Sequence, residues 1–340
     1  MAGLSERAST VPRMTDSGGG VHVHRGERAD ALAAALAELL AAPLPDPFAA
    51  EVVAVSAPGM ERWLAQRLAH RLGTGPSGQD GVCAAVRFPS PAALVGEVVE
   101  AATGVGADTD PWRPERLVWP LLTELDAALD EPWCATLAAH LGRRGAGSGN
   151  GDGAGDPSRR GRRVAAASGR AGLWARYAVQ GPPLLADWRA GRDGSTPEDL
   201  RWQAELWRRV RARVGGADPA QRWAQACEVL GQCGESVALP SRVSVFGPTR
   251  LPAAHLEVLV ALARHREVHL WLPHPSPALW RRQGPVPPGT AVRRGEFGTP
   301  ARHPLLASLG RDLHEMGARI AAVAPDAVAH HHPADPPQPT

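Results

Sequence analysis

The sequence predicts an α/β domain built on a parallel sheet and interrupted by a helical insertion. Three observations predict it. Strand–turn–helix units follow one another three times within residues 21–110, a helix-only pattern fills residues 111–238, and the strand–turn–helix pattern resumes over residues 239–324. Residues 1–20 read as a disordered leader and residues 325–340 as a Pro-rich, disordered tail.

The first unit, VHVHRGERADALAAALAELLAAP, gives a short strand at 21–23 and an amphipathic helix over 28–42 that Pro43 and Pro45 end. In the second, Val52, Val53 and Val55 make a β-rich run. Ser56-Ala57-Pro58-Gly59 turns the chain, and residues 60–72 carry apolar side chains at helical spacing. The third, VCAAVRFPSPAALVGEVVEA, opens its helix with Pro89 and Pro91. The insertion begins with PERLVWPLLTELDAAL. It then passes through residues 142–163, where six arginines stand among glycines and small polar residues and a flexible loop is expected. Helices are expected over 164–188, 196–214 and 219–232, then a strand at 243–246, a helix over 253–264 and a strand at 268–272. The tail holds His330, His331 and His332, which suit either a metal chelator or a solvated end.

Composition excludes several classes. The 340 residues are 44% hydrophobic and 21% charged, enough apolar material for a buried core. No run approaches the ~20 apolar residues of a membrane span, and the N-terminus lacks the apolar centre of a secretory signal, so a cytoplasmic protein without a membrane partner is expected. Cys83, Cys134, Cys227 and Cys233 form no CxxC pair and read as reduced thiols. All 37 basic residues are arginine. A phosphate loop uses lysine on the β- and γ-phosphates, and Schiff-base chemistry uses a lysine amine, so this chain supplies neither. No GxSxG, HExxH or GxGxxG occurs. Asp108-Thr109-Asp110 matches the DxD of metal-dependent glycosyltransferases. It leaves a stand-alone α/β enzyme as an alternative, beside a solvated turn.

Four collinear segments carry a resemblance. They are Asp46 to Gly73 with its Gly59-Met60-x-x-Trp63-Leu64 core, Phe88-Pro89-x-Pro91, Leu239 to Trp280, and His303 to Asp312. Together they resemble the RecC family, the gamma subunit of exodeoxyribonuclease V in the RecBCD helicase–nuclease, over residues 21–316. Family members are far longer, which implies an N-terminal fragment or a truncated product. The resemblance implies a superfamily 1 helicase-like, P-loop-like fold that has lost its ATPase chemistry. It also implies RecB-like and RecD-like partner subunits, single- and double-stranded DNA as ligands, and a role in double-strand break repair by homologous recombination. No cofactor is expected in this chain, while ATP and magnesium are expected in the partners. The residues agree: His24-Arg25-Gly26-Glu27-Arg28 after the first strand is no phosphate loop, and residues 243–246 run into Gly247-Pro248 without an Asp-Glu pair for magnesium. A fragment with purely structural contacts is the remaining alternative.

Two groups are candidates for DNA binding. Ligands of parallel α/β sheets lie at the carboxyl ends of the strands, which selects Ser56, Arg62, Arg87 and Ser90; the same positions also suit exposed caps. In RAGLWARYAV, Arg170, Leu173, Trp174 and Tyr177 fall at i, i+3, i+4 and i+7 on one helix face, with Arg176 beside them. By the resemblance that face lines a channel for the 3′-ended strand, where guanidinium groups meet phosphates and rings stack on bases. The same stripe also suits a helix docked on a core. Gly96, Ala175 and Gly181 are smaller than their counterparts in hotspot-reading members, so the resemblance carries strand binding further than it carries reading of that hotspot.

Overall fold

The structure, a computed structural model, describes residues 19–74, 81–141, 157–274, 276, 278, 280, 303–305 and 310–333. Its centre is a sheet of β1 (Gly20–Gly26), β2 (Glu51–Val55), β3 (Val86–Arg87), β4 (Arg242–Phe246), β5 (Glu267–Pro273) and β6 (Val328–His331). The strands lie in the order β3-β2-β4-β5-β1-β6, and every pairing is parallel. Alternation along each strand sends successive side chains to opposite faces. Val53, Val55, Phe246 and Trp271 pack under α1 (Ala29–Leu40) and α2 (Pro58–Ala69). Val52, Ala54, Val243, Val245 and Leu270 meet α3 (Pro91–Thr103), α9 (Pro219–Cys233), α10 (Ala253–Leu262) and α11 (Arg311–Val323). Helices on both faces bury a parallel sheet, and this is why β2, β4 and β5 read as mostly apolar runs.

The insertion carries a core of its own, built by α4 (Pro114–Ala128), α5 (Ala135–His140), α6 (Pro157–Gln180), α7 (Pro182–Arg189) and α8 (Trp202–Val214). Its centre is aromatic: Trp207 lies 5.9 Å from Trp112 and 6.0 Å from Trp188, and Tyr177 meets Trp188 edge-on at 5.9 Å. Polar side chains then fasten the insertion to the sheet layer. Asp218, fully buried, caps α9 by accepting from the Gln221 amide and receives the guanidinium of Arg189 at 2.9 Å. Arg222 on α9 donates to Asp110, ahead of α4, at 2.7 Å. Within the sheet itself, Arg242 at the start of β4 donates to the Glu51 carboxylate at the start of β2.

Several elements differ from the sequence expectation. β1 starts at Gly20 and runs to Gly26, longer than residues 21–23, because parallel pairing with β5 continues to Pro273. The loop expected over 142–163 is helical from Pro157, where proline suits a first helical turn and Arg163 meets Asp126 of α4 at 3.1 Å. The remainder of that loop, residues 142–156, lies outside the described residues, as do residues 1–18 of the expected leader and 334–340 of the tail. The helix expected over 164–188 divides at Gly181, whose φ of −141° departs from helix just before Pro182 and Pro183. The tail expected to be disordered from Pro325 instead forms β6. Backbone bonding to β1 and side-chain contacts across it offset the ordering cost that composition alone suggests is not met. The three histidines are therefore parts of a sheet edge rather than a solvated end.

Candidate nucleic-acid interface

The carboxyl ends of the strands form one rim. The Val55 amide donates to the Pro89 carbonyl at 2.9 Å, setting the turn after β2 against the turn into α3 and bringing Ser56 and Ser90 to the same edge. Ser56 is exposed. Ser90 is also exposed, and its hydroxyl accepts from the Ala93 amide at 3.1 Å as the α3 cap, which leaves its own proton to donate outward. Arg62 projects from the exposed face of α2 and has no ion pair with a described residue, while Trp63 turns inward to within 6.2 Å of Phe246. Arg87 is exposed and paired with Glu97 at 3.0 Å, an ion pair worth little in water and open to exchange for a phosphate.

One basic residue of the rim was missed by the sequence reading. Gly247 turns the chain after β4 with φ +68°, and exposed Arg250 follows. Arg250 lines a cleft of about 220 Å³ with Gln180, Asp312 and Arg319, so the end of α6 reaches the rim there. A strand followed by Gly-Pro-x-Arg was the signal that could have found it.

The five α6 candidates lie on a different body. Trp174 is 2% exposed inside the insertion core, with its indole nitrogen buried and unpaired among the described residues. Its ring therefore offers no free face for a base. Tyr177 packs on the same core and reaches Gln203 at 3.5 Å, and Leu173 is half-buried. Arg170 lies over the Trp202 ring, 4.9 Å from its centre. Arg176 alone of the five is exposed. The stripe's periodicity thus serves packing against α4 and α8, and Arg62, Arg176 and Arg250 are exposed with no ion pair to a described residue.

Other chemistry finds little footing. Burial raises the thiols of Cys83, Cys134 and Cys227, the last to about 11, so they stay protonated at neutral pH and are poor nucleophiles. No group of three or more metal-ligating side chains among the described residues could hold a metal ion. Asp110 of the DxD accepts from the Trp112 amide at 2.8 Å as well as from Arg222, so its carboxylate serves the fold. No described helix is long and apolar enough to cross a membrane.

Comparison with known proteins gives a consistent relationship. The RecC N-terminal domain matches residues 21–338. RecBCD enzyme subunit RecC of Mycolicibacterium smegmatis is 50% identical over 301 residues, covering 87% of this chain and 25% of the relative. The Mycobacterium tuberculosis subunit is 48% identical, covering 87% of this chain and 26% of the relative. The Escherichia coli subunit is 27% identical over 247 residues, covering 70% of this chain and 20% of the relative. The chain thus spans about a quarter of the length of these relatives. Taken with the parallel sheet and its helical insertion, these matches show that the chain belongs to the RecC family and corresponds to its N-terminal domain.

Proposed function

We propose that this chain is the N-terminal part of a RecC-like subunit, a cytoplasmic, non-catalytic scaffold that binds and guides unwound strands within a RecBCD-type helicase–nuclease. In this reading the fold is a superfamily 1 helicase relative that keeps the parallel sheet and has lost the nucleotide site. RecB-like and RecD-like partners supply ATP hydrolysis, magnesium and strand cutting, in the service of double-strand break repair.

The observation that carries the reading is the exposed polar and cationic rim at the carboxyl ends of the strands, where Ser56, Arg62, Arg87, Ser90 and Arg250 line one side of the sheet. Arginine forks there suit phosphate oxygens, and hydroxyl and backbone donors add contacts without sequence preference. The lack of any lysine in the chain agrees with a strand holder that does not turn over nucleotide. Arg170, Leu173, Trp174, Arg176 and Tyr177 enter with a divided role. Arg176 faces outward to a strand, and the other four hold the insertion that supports it.

The test is oligonucleotide binding by the purified chain as salt is raised. Retention on a filter at low salt, falling with a log–log slope of about −0.7 per phosphate contact, is expected for a single strand. No retention at low salt would refute strand binding. Co-purification with a RecB-like subunit tests the assembly separately.

A further inference from the structure

The sheet edge at β6 carries a feature that strand binding does not use. His22 and His24 on β1, His269 on β5, His330 on β6 and His332 just past its end bring five imidazoles together beside three neighbouring strands. Their rings stack: His24 lies 3.7 Å from the Trp271 ring at 11°, 4.5 Å from His330 and 5.2 Å from His332, and His22 lies 4.7 Å from His269. Their nitrogens also meet in pairs. His24 Nε2 is 3.0 Å from His269 Nδ1, His24 Nδ1 is 3.0 Å from His332 Nε2, and His22 Nδ1 is 3.2 Å from His330 Nε2.

Each nitrogen pair needs one N–H donor and one bare acceptor. Neutral imidazole provides one of each. Imidazolium provides two donors, so when both rings of a pair are protonated their hydrogens face each other and two like charges stand about 3 Å apart. Two of the three contacts cross to β6 or the residue after it, and among the described residues the β6 backbone pairs on one side, with β1.

We propose that this imidazole ladder is an acid-released clasp: neutral rings hold β6 on the sheet, and proton uptake lets it go. Burial, the leading cause in each case, holds all five histidines below the ordinary imidazole range, His24 to about 2 with its histidine neighbours adding to the effect. Release returns the β6 rings to water and to ordinary basicity. The released state therefore binds more protons, and it gains on the docked state as pH falls below ~6.5. If only His330 and His332 gain a proton each on release, the released fraction rises by at most about 30-fold between pH 6.5 and 5.5.

Other charges facing the ladder are few. Glu267 on β5, whose carboxylate is 3.5 Å from His269 Nε2, favours a proton there, and Arg242 on β4 opposes one. Glu27 accepts from His331 at 3.0 Å, a contact that holds β6 and works against release, and Arg25 on β1 lies over the Trp280 ring. The three nitrogen pairs outnumber the single helping carboxylate.

Hydrogen exchange of the full chain between pH 8 and 5, corrected for intrinsic rates, tests the clasp. Amides of residues 328–332 are expected to lose protection severalfold, up to about 30-fold, from pH 6.5 to 5.5 while β2 and β4 keep theirs. His330→Phe with His332→Phe keeps flat rings and removes two protons, and is expected to flatten that fall. The clasp is overturned if β6 protection stays level in the parent, if β2 and β4 lose protection in step with it, or if the double variant falls as steeply as the parent. Should the variant not fold, the parent profile alone decides.

Discussion

Trp174→Ala separates the two meanings of the α6 stripe. Trp174 is 2% exposed and lies in one core with Trp188, Trp202 and Trp207, so truncation removes a buried ring and leaves a cavity in a rigid aromatic cluster. Truncations of this kind cost about 3–5 kcal/mol, a large share of the ~5–15 kcal/mol that holds a folded protein. The indole nitrogen has no partner among the described residues, so no hydrogen bond is lost with the ring. Trp174→Phe should then cost about 1–2 kcal/mol, since it removes an unpaired buried donor together with part of the apolar area. Urea unfolding followed by circular dichroism reads both values. Oligonucleotide anisotropy, measured where each variant is fully folded, should give affinities within about 2-fold of the parent, a spread of under ~0.5 kcal/mol. A Trp174→Ala protein within about 0.5 kcal/mol of parental stability but with strand binding lost would show that Trp174 faces a base, contrary to the packing.

Three further outcomes follow from the same geometry. Arg62→Ala should leave stability within about 0.5 kcal/mol, as expected at an exposed site, and should make the salt slope of single-strand binding shallower by about 0.7; an unchanged slope would remove Arg62 from the interface. Asp218→Ala should cost about 3 kcal/mol in urea unfolding, because it strips the α9 cap and leaves Arg189 without its buried partner; a loss below about 1 kcal/mol would contradict that anchoring role. Burial holds His255, stacked on Trp223, at about 4, below the ordinary 6.5. Its contribution is complete above pH ~6.5 and declines by up to about 3 kcal/mol as pH falls toward 4, so His255→Leu should flatten part of the acid slope of stability.

Much of the fold was legible because its periods are strong. Val52 to Val55 is an unbroken apolar run and Val243 to Phe246 is broken only by Ser244, as suits strands covered on both faces. The insertion announced itself by leucine and tryptophan at helical spacing, from Leu117 to Val210. β6 was not legible. Val328 to His331 is only four residues long in a Pro-rich tail, and the groups that order it, His22 and His24, stand about three hundred residues earlier in the chain. The start of α6 was hidden by its arginines and glycines, which read as loop until Asp126 of α4 stands opposite Arg163.

The placement of the candidate residues was legible in part. The rule that ligands meet the carboxyl ends of parallel strands placed Ser56, Arg62, Arg87 and Ser90 on the rim. The α6 stripe was ambiguous by nature, because spacing fixes a helix face without fixing what covers it. Trp174 became a core residue once α4 and α8 packed over that face. Arg250 went unseen because a lone arginine after a strand has no periodic signature.

The most direct test of the proposed motor-like scaffold without motor chemistry is ATP hydrolysis by the purified chain with magnesium, with and without saturating single-stranded DNA. Strand binding with phosphate release no faster than in protein-free buffer is the expected result. Turnover that tracks the protein through purification and rises when DNA is added would contradict it.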